Sequence, residues 1–392
     1  MTLTWSKILP IAFVAACVTL AYDGVTSGQP KIGVRASKAP LKAVAEAQNV
    51  VDLRAACAAG GKVVVKPGRY YFNDTLVLTG VTSLIGDYRD LVTLDFTQMA
   101  DPTKEAVRID RVWGYEIRNL TITGVRANNA IGVLNSTTTP NANGSYGTCS
   151  GSAVWDHVII NGFKKGLVIG NRDLYIAASE NTYNHLEVVQ CDRCIELNDF
   201  NTLNHYFTML LMGDCNEGLV TNGASYITVV GGSSSSCVGP VFDFGNCSSA
   251  FIKAYRQEEG GVFCRCGTTT TAGQFTLENC MMHTRAGFQT EDTSKWVNGW
   301  KCLVACGGSS FVTLRNNFMR TTVSNDSPVI YAHNSNGGRI ELIGNTCTYS
   351  GSGPLVRKGE IVPTSPGLVF MRGNGKVDSG NTFLGWFPDQ NQ

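Results

Sequence analysis

One short phrase returns along the middle of the chain: a variable residue, two spacers, a small residue, then an apolar-x-apolar run. The variable position is Phe163, then Cys191, Cys215, Cys237, Glu258 and Cys280, in steps of 21 to 28 residues. A near-constant step with one recurring turn marks a solenoid, where each repeat is buried only by its neighbours. Asn181-Thr182-Tyr183-Asn184-His185 returns as Asn201-Thr202-Leu203-Asn204-His205, and each block leads through an apolar run into a Cys. Runs at 226–230, 251–255, 275–277 and 311–314 are too short for helices. Asn, Gly, Ser and Asp bound them, so they read as strands and tight turns. The step is too short for a propeller blade, and the Leu spacing of a leucine-rich horseshoe is absent. A parallel β-helix remains, with coils stacked about 4.8 Å apart.

Composition supports an ordered core, with 43% hydrophobic and only 16% charged residues. The net charge is +1 and no run of Lys or Arg exists, which argues against nucleic acid as a partner. Lys7 precedes an apolar stretch at 8–21, interrupted by Pro10. That stretch is short for a membrane span, which needs about 20 residues, and it fits the core of a signal peptide cleaved before Tyr22. Lipidation at Cys17 and a retained membrane anchor are the alternatives. Residues 1–21 thus read as an export segment, 22–44 as a linker and 45–392 as one solenoid domain. Insertions are expected near 135–152 and 284–310. Fourteen Cys in an exported chain invite disulfides. The recurring Cys positions read first as small apolar filler, whereas Cys302 and Cys306, in an apparent loop, are the better candidates for a bridge. Cys191-x-x-Cys194 and Cys264-x-Cys266 lack the two well-spaced pairs of a zinc site, so no metal and no cofactor are expected.

Val50, Leu53 and Cys57 make a short helical stripe that Gly60-Gly61 would end. Gly61-Lys62-Val63-Val64-Val65-Lys66-Pro67-Gly68-Arg69-Tyr70-Tyr71 follows, then apolar runs at 76–78 and 81–86. This opening resembles that of the pectate-lyase-like β-helix proteins. The resemblance implies an all-β, single-stranded, right-handed parallel β-helix with a short N-terminal capping helix. A cap is physically required, because an open solenoid end exposes core and unpaired strand edges. The superfamily spans polysaccharide lyases, glycoside hydrolases, viral tailspikes and non-catalytic adhesins, so the fold does not settle function. The Asn-Thr-Asp, Asp-Asp, His-Gly and Arg-x-Lys signatures of its polygalacturonases are missing. Val154-Trp155-Asp156-His157-Val158 is similar to a lyase phrase but is one residue short. One missing residue in a strand reverses side-chain facing, so no lyase role passes to Asp156 or His157.

Cleavage of a glycoside usually takes two carboxylates, about 5 Å apart for retention and about 6.5–9.5 Å for inversion. Glu258 stands where the phrase otherwise has Cys, beside Glu259, with Asp243 one coil earlier. These three are the candidate catalytic residues. Lys253 and Arg256 are placed to hold an anionic sugar. For β-elimination, Lys253, Arg256 and His205 are candidate bases. Trp296 and Trp300, in the expected 284–310 insertion among charged residues, suit stacking on a pyranose.

Two readings follow. One is an exported, carbohydrate-active β-helix protein that binds an extracellular polysaccharide and, as a hydrolase or lyase, cleaves it. The other is a non-catalytic structural or adhesive β-helix of a cell surface or virion, spike-like, as monomer or homotrimer. The first predicts convergent carboxylates and exposed aromatics on one groove.

Overall fold

The computed structural model describes residues 45–47, 49–88, 91–137, 148–267, 273–284, 302–307, 310–321, 330–333, 339–349, 356–358, 368–372, 375–377 and 383–385. All lie in one compact unit, Leu41–Gln392. The export segment, the linker to residue 44, Trp296 and Trp300 lie outside the described residues. Among the described residues no helix is long and apolar enough to cross a membrane.

The chain winds as a parallel β-helix. Strands Val154–Asn161, Thr182–Val189, Leu203–Cys215 and Ser225–Cys237 pair in series, parallel and in register. Trp155 pairs with Tyr183, Tyr183 with Phe207 and Phe207 with Val229. These strands carry two sides of each coil. The third side is a separate parallel sheet that includes Lys165–Ile169, Arg193–Asn198, Glu217–Asn222, Phe242–Asn246 and Cys264–Cys266. Parallel crossovers of this kind wind right-handed.

The corner between the first two sides has one cause in nine successive coils. Asn119, His157, His185, Met209, Gly231, Ala254, Asn279, Asn316 and Gly344 all have left-handed backbone, with φ between 50° and 71°. A single left-handed residue turns the strand without breaking its ladder of hydrogen bonds. Asn and Gly suit that conformation, because Gly has no Cβ and the short Asn side chain bonds locally.

The helix Val50–Ala59 covers the open end. Asn49 caps it by accepting the Asp52 N–H at 2.9 Å, and Gly60 ends it at φ 73°. Leu53, Ala56 and Cys57 face the core. Toward the other end Phe383–Gly385 folds back antiparallel on Gly375–Val377, which interrupts the parallel edge.

Inside, equivalent residues stack. The Tyr183 and Phe207 rings are 4.5 Å apart and nearly parallel, and Trp155 lies 5.7 Å from Tyr183. That row stays apolar through Val229, Ile252, Leu277, Leu314 and Leu342, while just past the corner the later coils carry a polar row. The Cys280 N–H donates to Asn317 Oδ1 at 2.8 Å, the Asn317 N–H donates to Asn345 Oδ1 at 3.0 Å, and Asn345 Nδ2 donates to the Leu314 carbonyl at 2.8 Å. Each buried amide is thereby satisfied by the coil beside it.

The cysteine row holds for part of its expected length. Phe163, Cys191, Cys215 and Cys237 follow equivalent bends, and Cys215 pairs with Cys237. Glu258 does not continue the row, because Ser235 pairs with Glu258 and Gly260 therefore takes the position beside Cys237. Four residues separate Cys215 from Leu219, but five separate Cys237 from Phe242, the partner of Leu219. That extra residue displaces the turn phrase in the next coil. Cys280 sits elsewhere too, just after the left-handed Asn279, where earlier coils place Leu186 and Leu210. The side chains of eleven cysteines are described, and all are buried. Cys306 lies in the strand Val304–Gly307 and pairs in register with Cys266, so Cys302 and Cys306 belong to a coil and not to a disulfide loop.

His205, expected as a candidate base, is 1% exposed, with Nε2 3.0 Å from the Ala178 carbonyl. It is a core group and out of reach of substrate.

Two predictions follow from this core. Burial pushes the thiols of Cys57, Cys191, Cys247 and Cys280 up to about 12. Cys215, hydrogen-bonded by Cys194 and Cys237, is lowered instead but is just as inaccessible, at 1% exposure. A maleimide pulse on folded protein, read by mass spectrometry, should leave all eleven described cysteines unmodified, and denaturant should expose them as thiols. Labelling of Cys191, Cys215 or Cys237 before unfolding, or failure to label after it without reductant, would contradict the packing.

Burial also lowers His205 from 6.5 to about 4. Below pH 6.5 the unfolded chain binds a proton that the folded one refuses, so stability falls as pH drops from 6.5 towards 4, by up to ~3 kcal/mol. Denaturant titrations should show that this part of the slope is missing in His205→Gln. Equal slopes for the two proteins would reject the assignment.

Candidate functional site

The left-handed corner decides which side chains reach solvent together. In an extended strand neighbouring residues point to opposite faces. Asp156 and His157 are neighbours, but the positive φ of His157, 53°, resets the alternation, and both side chains stand on the outer surface. His185 holds the same corner one coil on, with φ 50°. The two imidazoles stack at 4.5 Å with 14° between their planes. His157 Nδ1 is 2.9 Å from Asp156 Oδ1, and one potential ligand atom from each of the three residues falls within 4.8 Å of the others. Arg118 Nη1 approaches Asp156 Oδ2 at 3.8 Å and also pairs with Glu116. On the next coil Thr208 donates to Asn184 Oδ1 at 2.6 Å.

Up the axis from this group the surface changes character. Tyr206, Met209 and Tyr226 are 41%, 46% and 56% exposed on two successive coils, a large apolar commitment for an outer face. On the second of these coils the corner and second side read Gly231-Gly232-Ser233-Ser234-Ser235-Ser236. Ser233 pairs with Leu211 below and Arg256 above, so short side chains lie between longer ones and the surface dips.

A second polar group follows. Asp156, Asn184, Thr208, Val230 and Lys253 form one outward row, so Lys253 lies four coils, about 19 Å, from Asp156. Lys253 Nζ is 3.9 Å from Glu278 Oε1, and Arg256 Nε is 2.9 Å from Glu258 Oε1. Glu259 interacts electrostatically with His283. Partial burial and the nearby Arg320 push His283 below its ordinary value, with Glu259 opposing them, so His283 stays neutral at pH 7. Met281 and Phe318 stand exposed in the row above Arg256.

The expected residues therefore separate. Glu258, Glu259, Arg256 and Lys253 share adjoining outer surface. Asp243 does not join them: it lies on the third side, 4% exposed, and accepts a bidentate pair from Arg265, with Nε 2.8 Å from Oδ1. The grouping of Asp243 with Glu258 rested on neighbouring coils, but the two belong to different sheets. Glu196 on the same third side is likewise buried, with Lys165, Arg193 and Asn198 around it. A buried carboxylate held this way is a structural group. The Asp156–His157–His185 cluster was missed as a unit. The available signal was the parallel between Trp155-Asp156-His157-Val158 and Tyr183-Asn184-His185-Leu186, one coil apart.

No family model matches the sequence, and no curated protein matches it. Solved structures share the architecture. The A-module of mannuronan C-5 epimerase AlgE6 from Azotobacter vinelandii is 11% identical, with a TM-score of 0.45, over 85% of this chain and 96% of that one. The Dettilon tailspike protein is 13% identical, with a TM-score of 0.49, over 83% and 65%. The catalytic unit of the GH87 α-1,3-glucanase from Streptomyces thermodiastaticus is 13% identical, with a TM-score of 0.47, over 88% and 69%. The likeness is one of fold: this chain is a parallel β-helix.

Proposed function

We propose that the protein is an exported, carbohydrate-active β-helix that holds an extended polysaccharide along its axis. The glycan lies along the outer surface of the first two sides, from Asp156–His185 to Glu258–His283. One observation carries this reading: Tyr206 and Tyr226 stand exposed on successive coils between two polar groups. The apolar face of a sugar ring stacks on an aromatic ring while its hydroxyls need charged or amide partners nearby. A solenoid repeats its surface every coil, which suits a ligand that also repeats.

Cleavage, in this reading, falls at the upper polar group. Glu258 and Glu259 supply carboxylates, His283 supplies a neutral imidazole able to accept a proton at pH 7, and Arg256 and Lys253 hold the sugar. A second reading, a structural or adhesive β-helix, is favoured by one observation. Lys253 and Arg256 each already have a carboxylate partner, as in a surface built for stability.

The test is a polysaccharide panel read for binding, for new reducing ends and for unsaturated products. Tyr206→Ala with Tyr226→Ala should weaken binding at least about tenfold. Glu259→Gln should leave binding intact and lower turnover on the order of a hundredfold. Binding that is indifferent to both Tyr changes would remove the track. Binding without products from the unaltered protein would establish the second reading.

A further inference from the structure

We infer that Asp156, His157 and His185 form a binding site for one divalent transition-metal ion of the zinc class. The ligand types are two imidazoles and one carboxylate, with candidate ligand atoms within 4.8 Å of one another. Three protein ligands of this kind, with a position left open, are the usual donor set of a reactive zinc site. Calcium and magnesium prefer oxygen donors, whereas imidazole selects the later first-row ions. Closing the ligands to the ~2.0–2.2 Å bonds of zinc takes side-chain rotations that tilt the two rings out of their parallel stack. His185 is exposed, and the His157 side chain is 43% exposed, so both are free to make them.

The backbone supports the same conclusion. Two successive corners, which elsewhere hold Asn, Gly, Ala or Met, both hold His, and their rings are stacked at 4.5 Å. Arg118 stands beside Asp156 on the outer side of the cluster. The inference does not depend on glycan binding, since the metal itself is the readout.

The experiment uses the full chain with Co²⁺ as the spectroscopic probe and Zn²⁺ as competitor. One equivalent of Co²⁺ should bind and give visible d–d absorption, and Zn²⁺ should abolish it. His157→Asn and His185→Asn are the informative variants. Asn already serves this corner at Asn119, Asn279 and Asn316, so the bend is kept while the ligand is lost. Each should weaken Co²⁺ binding at least about tenfold, with circular dichroism unchanged, and His283→Ala should have no effect. Binding that survives both Asn variants, a thiolate charge-transfer band in place of imidazole-type absorption, or no stoichiometric uptake at neutral pH would each overturn the inference.

Discussion

Backbone hydrogen bonding between successive coils is the interaction on which everything else rests. It is parallel and in register, so residues two dozen apart become neighbours about 4.8 Å apart. Side chains then have little choice. Tyr183 must meet Phe207, Asn317 must meet Asn345, and Cys215 must meet Cys237. The core is a set of ladders, each stabilised by stacking, by amide hydrogen bonds or by packing of small thiols. A change at one rung is felt by two coils only, which leaves the outer faces free to vary.

The corner row sets the surface as the ladders set the core. One left-handed residue per coil turns the strand and resets which residues face out. The same device explains why Asp156 and His157, adjacent in sequence, reach solvent side by side, and why His157 and His185 stack. Non-glycine residues with left-handed backbone are uncommon and cost energy. Here the ladders on both sides of the bend hold them in place, so the surface inherits a rigid mounting for its polar groups.

Much of the architecture was legible. The repeat step, the short strands, Gly60-Gly61 after an amphipathic helix and the asparagine ladder all have local causes that show in sequence. The errors also have physical causes. Glu258 was placed on the cysteine row because the turn after Cys237 carries an extra residue. Asp243 was grouped with Glu258 because closeness along the axis was counted without asking which of three sides each residue occupies. Asp156 and His157 were set aside by a parity argument that does not hold at a left-handed corner. Sequence periodicity thus reads which coil a residue is in more reliably than which side it faces.

The central claim is the regular rise of equivalent residues along one axis. Nitroxide labels can test it directly, with Thr182 paired in turn with Thr228, Thr276 and Thr313, which sit two, four and five coils away in one row. With Cys17, Cys149 and Cys347 replaced by Ser, the remaining native thiols are buried, and the introduced cysteines take the label. Pulsed and continuous-wave measurements should give separations rising through about 10, 19 and 24 Å, each with a narrow distribution. Distances that do not grow with coil number, or one broad distribution for all three pairs, would contradict the account.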